Sequence, residues 1–161
     1  MSAASFFDAV YKALPEITDC LQLDHIDYLA GKKKAVAFFT SDVLIGDRQF
    51  DIIRRQLRRA FPQIQMTMRV ASPKLADDFL ADPEKFAGVF EPILLKHYPA
   101  MTPTIHRIAW KRENGSLVLE FEDQFTYEYM SRQEVRGKLL TAIQDIFLIR
   151  PELSLRLKQD T

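Results

Sequence analysis

The sequence has a single cysteine, Cys20, among 161 residues. An intramolecular disulfide is therefore excluded, and so is a zinc site built only from cysteines. It has five glycines, and they form none of the phosphate-cradling patterns Gly-x-x-x-x-Gly-Lys-Ser/Thr or Gly-x-Gly-x-x-Gly. The Gly-x-Ser-x-Gly elbow of a serine hydrolase is also absent. No apolar run approaches the roughly 20 residues that a membrane helix requires. In residues 1–14, Asp8 and Lys12 interrupt Phe6, Phe7, Val10, Tyr11 and Leu14. A secretion signal needs a basic start and an unbroken apolar stretch instead. The expectation is a cytoplasmic protein with no membrane partner, and a lone cysteine agrees with a reducing compartment. Charge of either sign is not in excess: 22 Lys or Arg balance 22 Asp or Glu. Overall charge thus gives no reason to expect tight, nonspecific nucleic-acid binding.

What is present is a succession of short, well-punctuated elements. Phe6, Phe7, Val10 and Leu14 have helical spacing and Pro15 closes the helix. Leu21, Leu23, Ile26 and Tyr28 follow as an irregular alternation read as a strand. Gly31, Lys32, Lys33 and Lys34 make a polar turn into a second strand at 35–43, so the pair forms an antiparallel hairpin. Asp47 is read as a helix cap. Behind it, Phe50, Ile53 and Leu57 lie on one helical face and Arg54, Arg55, Arg58 and Arg59 on the other. Pro62 ends this helix, and Ile64, Met66, Met68 and Val70 alternate as a strand with one wet face.

A helical middle follows. Ser72-Pro73, Asp82-Pro83 and Thr102-Pro103 are cap-plus-proline helix starts. Pro92 is expected to bend or divide the second of these helices, and residues 105–110 are read as a short third one. After the Asn114-Gly115 turn comes a strand at 117–121, then a helix at 133–147 and a closing strand with Leu153, Leu155 and Leu157 inward. The reading is an α+β fold. Residues 21–70 run β-β-α-β, and residues 117–158 echo strand–helix–strand. The boundary is placed at 99/100, giving units 1–99 and 100–161.

No catalytic constellation stands out. His25, His97 and His106 are far apart, whereas metal sites need clustered ligands. Asp77 and Asp78 are adjacent and diverge on a helix. Glu120 and Glu122 share a strand face but lack the further carboxylates of a two-metal site. Cys20 has no evident activating neighbour. No catalytic residue, metal or cofactor is therefore assigned. Phe125, Tyr127 and Tyr129 alternate in a segment that is neither clear strand nor clear helix, as an interface patch or as packing against the following helix. The most specific surface feature is basic. Arg54, Arg55, Arg58 and Arg59, with Arg48, line the outer side of one helix, and Lys32, Lys33 and Lys34 belong to the same unit. Such a face suits phosphates or an acidic partner, since arginine's planar fork pairs bidentately. It also suits plain solubility.

The order of elements and several short strings resemble the N-terminal region of PolC-type DNA polymerase III alpha subunits, the replicative polymerases of low-GC Gram-positive bacteria. The strings are the basic hairpin turn Gly31-Lys32-Lys33-Lys34, the helix end Leu57-Arg58-Arg59-Ala60-Phe61, the Thr102-Pro103 step, Asn114-Gly115-Ser116-Leu117-Val118-Leu119, and the alternating strand 153–157. The resemblance extends from about Phe6 to Lys158, and the segment 102–114 is shorter than the family pattern. It implies two small KH-like units and a noncatalytic role within a DNA-directed DNA polymerase. The implied partners are the tau subunit of the clamp loader and the remainder of the polymerase, with direct DNA contact as the alternative. Nucleic-acid-binding KH domains clamp the backbone with a Gly-x-x-Gly loop. This sequence has none, which favours protein docking.

Overall fold

A β-bulge explains the irregular spacing of Leu21, Leu23, Ile26 and Tyr28. In the computed structural model, which describes residues 3–158, strand β1 (Leu21–Leu29) pairs antiparallel with β2 (Lys34–Ser41). The register shifts between Leu23 and His25, so Asp24 is the extra residue. One inserted residue flips the phase of a period-two strand. Leu21, Leu23, Ile26 and Tyr28 consequently all stand opposite the buried Ser41, Phe39, Ala37 and Ala35, on one face of the sheet.

Strand β3 (Gln65–Ala71) runs parallel to β2 on its other side, giving the order β1-β2-β3. A parallel neighbour needs a crossover, here helix α2 (Asp47–Ala60). Its Ile53 and Leu57 are buried with Ala35, Ala37, Phe39, Met66 and Met68. Helix α1 (Ala3–Ala13) contributes Phe6 and Val10 to the same core, where Phe6 lies 5.8 Å from Phe39. Asp47 is the first residue of α2 rather than its cap. Gly46 holds the cap position in extended backbone, and its N–H donates to Gln49 Oε1 at 3.0 Å. Gly46 has no side chain to accept a first-turn N–H, so the bond expected of Asp47 is not made, and Gln49 instead reaches back to the cap residue's own N–H.

Tertiary contacts divide the chain after Lys74, not at 99/100. The second unit begins with α3 (Ala76–Ala81) and α4 (Ala87–His97). Aromatic packing decides this. Phe79 stacks on Phe147 with centroids 4.8 Å apart, Phe86 lies edge-on to Phe147 at 5.4 Å, and Phe90 stacks on Trp110 at 5.6 Å. Glu84 accepts the Trp110 backbone N–H at 2.7 Å. The helical middle therefore supplies the core of the second sheet. The prolines at 99–104 punctuate short 3-10 turns inside that unit. Pro92 lies within α4 and does not divide it.

The short helix expected at 105–110 is instead one 3-10 turn, Ile105–Arg107, followed by strand β4 (Ala109–Glu113). Asn114 and Gly115 both have positive φ, 51° and 80°, the requirement of a two-residue hairpin turn. β4 accordingly pairs antiparallel with β5 (Ser116–Phe121). β6 (Leu153–Leu157) runs parallel to β5 after two helices, α5 (Gln124–Met130) and α6 (Gln133–Phe147). The ambiguous aromatic segment is α5. Asp123 caps it by accepting the Thr126 N–H at 2.8 Å.

Both units thus contain a hairpin followed by a helical crossover into a third strand parallel to the second. The echo extends further than the sequence reading, because β4 matches β1.

Candidate functional site

The neutral total conceals two charged halves. Up to Lys74 the chain has eleven Lys or Arg against eight Asp or Glu, a net of +3. From Leu75 on it has eleven against fourteen, a net of −3.

Topology concentrates the first unit's cations at one end. β2 and β3 are parallel, so β3 begins beside the β1–β2 turn: Gln65 pairs with Lys34 and donates its N–H to the Lys33 carbonyl at 2.8 Å. Only four residues separate the end of α2 from Gln65. Its last turn, with Arg58 and Arg59, therefore arrives at the same end of the sheet as Lys32, Lys33 and Lys34. Gly31 and Lys33 have φ of 84° and 50°, which turns the chain tightly there.

The expected basic set divides into paired and unpaired members. Arg54 is half-buried and donates to Asp51 at 2.8 Å. Arg48, at the opposite end of the helix, lies 3.7 Å from Glu16. The Glu16 carboxyl is held below its ordinary range, chiefly by its own backbone N–H, then by Gln49 and Arg48. Arg55, Arg58, Arg59, Lys32, Lys33 and Lys34 are exposed and make no ion pair among the described residues. Six uncompensated cations on two adjoining segments leave a local positive field.

Apolar side chains accompany them. Of the eight large hydrophobic residues exposed among the described residues, Leu23, Ile26, Tyr28 and Leu29 lie on β1, and Phe61 lies just past α2. Sequence pattern did not reveal this exposure, because an inward phase does not say whether a helix covers it. α1 covers only the start of β1: Tyr11 Oη donates to the Leu21 carbonyl at 2.9 Å.

The sheet's other face carries Phe38 at its centre. His25 stacks on it at 4.4 Å, and the Arg69 guanidinium lies 6.0 Å from the ring centre. His25 Nδ1 is 2.7 Å from Asp24 Oδ2. The corresponding face of the second unit is neutralised internally. Arg156 grips Glu113 at 2.8 and 3.0 Å and Glu120 at 2.9 Å, and Lys111 reaches Glu120 at 3.2 Å. Hydrogen bonds from Arg156 hold both carboxyls below their usual range, and Lys111 adds to the effect at Glu120. In return they push the guanidinium's pKa up.

No group of three His, Cys, Asp or Glu converges on a metal position among the described residues. His97 borders a shallow groove between α4 and α6 with Ile93, Lys138 and Asp145. No helix among the described residues is long and apolar enough to cross a membrane. No protein-family model matches the chain, and no curated protein matches it.

Proposed function

We propose that this chain is a noncatalytic interaction module of a PolC-type replicative DNA polymerase III alpha subunit, docking the polymerase to the tau subunit of the clamp loader. The reading combines the layout and strings that resemble that family with one structural observation. Arg58 and Arg59 in the last turn of α2 lie at the same end of the first unit as the lysines of residues 32–34, and none of the five has a carboxylate partner among the described residues. Uncompensated arginines beside exposed apolar side chains are the composition of a docking surface, where a few anchors carry most of the energy.

Calorimetric titration against the C-terminal region of tau tests it. Saturable one-to-one binding is expected. Replacing Arg54, Arg55, Arg58 and Arg59 by Ala is expected to weaken it at least tenfold at low salt. Unchanged affinity in that variant removes the basic helix from the account, and no binding at tens of micromolar defeats tau docking by this chain.

Phe38 favours a second reading, a KH-like module contacting single-stranded template or primer. An aromatic ring at the centre of a sheet face with an arginine near it is a stacking platform for bases. That reading requires affinity for single strands that falls steeply with salt, and absence of binding at low salt defeats it.

A further inference from the structure

We propose that the free edge of β1, from His25 to Leu29, accepts an extended acidic segment of a partner protein as an added strand. β1 is an edge strand of nine residues that, among the described residues, pairs with no strand but β2. Among the described residues no strand pairs with its other side, and the backbone of a free strand edge is a template for another strand. Long apolar edges are ordinarily shortened, charged or covered. The bulge at Asp24 guards the first part of β1, and after it the strand pairs regularly to Leu29.

The side chains along that regular part are divided by face. Ile26 and Tyr28 stand opposite buried Ala37 and Ala35 yet are 39% and 55% exposed. They lie on the helix side of the sheet, beyond the stretch where α1 meets Leu21 and Phe39. An incoming strand with apolar residues at every second position would extend this face and bury them. His25 and Asp27 stand on the opposite face, with His25 Nε2 3.8 Å from Asp27 Oδ1.

Charge selects the occupant. Asp27 opposes a carboxylate beside the middle of the strand. The turn that follows carries Lys32, Lys33 and Lys34, all exposed. The complementary partner therefore alternates apolar and neutral residues along His25 to Leu29 and bears its carboxylates at the turn end. The site deepens the docking reading above and rests on it for its biological partner, but its chemistry is tested without tau.

The probes are two synthetic peptides of five alternating Leu and Thr residues, one with three glutamates before them and one with three after. One suits each strand direction. Fluorescence anisotropy on the full chain at low salt is expected to give saturable binding of one peptide. Replacing its glutamates by lysine, or N-methylating alternate amides, is expected to weaken binding at least tenfold. The double variant Ile26→Ser/Tyr28→Ser and the triple variant Lys32→Ser/Lys33→Ser/Lys34→Ser are each expected to weaken it by a similar factor. These positions are exposed, and circular dichroism verifies that the variants fold. Amide exchange is expected to slow at residues 25–29 on binding.

Failure of both peptides at millimolar concentration overturns the site. So does binding that ignores the Ile26/Tyr28 variant, or slowed exchange at 25–29 produced by self-association of the chain alone. Tau binding that survives the Ile26/Tyr28 variant overturns tau as the occupant of this edge and leaves the docking reading standing. Peptide binding without tau binding supports the site and removes tau as its occupant.

Discussion

Replacing Phe79 by Ala decides which sheet the middle helices belong to. Phe79 is fully buried, and its ring lies 4.8 Å from Phe147, 5.6 Å from Phe90 and 5.8 Å from Phe86. All three neighbours lie in the second unit. Truncating such a core phenylalanine costs about 3–5 kcal/mol, through lost transfer energy and the cavity left behind. Domain stabilities are about 5–15 kcal/mol in total, so the loss approaches the whole of a weak unit's stability. For a domain of this size it lowers the melting temperature by about 15–30 °C. The assay is hydrogen exchange followed by mass spectrometry. Phe79→Ala is expected to strip protection from β5 and α6 while β2 and β3 keep theirs. A boundary at 99/100 makes the opposite forecast, since residues 75–98 would then belong with the first sheet. Lost protection confined to residues 34–71 would refute the assignment of this aromatic cluster to the second unit.

Two further outcomes follow from particular contacts. The Glu113 and Glu120 carboxyls are held below their ordinary value of 4.5 by Arg156. Their folded-state values therefore lie below the unfolded ones, so the network stabilises the protein above about pH 4.5 and that contribution disappears as pH falls through the folded values. Melting temperature measured from pH 6 down to pH 2.5 is expected to fall more steeply in the wild type than in Arg156→Met, and parallel curves would contradict this. Asp123 accepts both the N–H and the hydroxyl of the fully buried Thr126, at 2.8 and 2.7 Å. Asp123→Ala is expected to cost about 1–3 kcal/mol in urea denaturation, for the lost cap and the altered pairing of a buried hydroxyl, and a loss under about 0.3 kcal/mol would deny Asp123 that role.

By itself the sequence determined most element types, because they rest on local periodicity. Ile53 and Leu57 against Arg55, Arg58 and Arg59 define α2, and Met66 and Met68 against Thr67 and Arg69 define β3. The α+β class and the order of strands around each main crossover were legible for the same reason. Local pattern failed where a residue's partner was distant. β4 looked helical because Ile105, Ile108 and Ala109 share helical spacing, and only pairing with β5 makes residues 109–113 extended. The boundary failed likewise: prolines mark where helices start, whereas the Phe79, Phe86, Phe90 and Phe147 cluster fixes which sheet those helices serve. The candidate site was legible as a list of cations and not as a place. Parallel pairing of β2 with β3 sets the end of α2 beside the hairpin turn, and no one-dimensional pattern encodes that adjacency. Tertiary structure alone also left Ile26 and Tyr28 uncovered, since burial depends on where α1 stops and not on the phase of the strand beneath it.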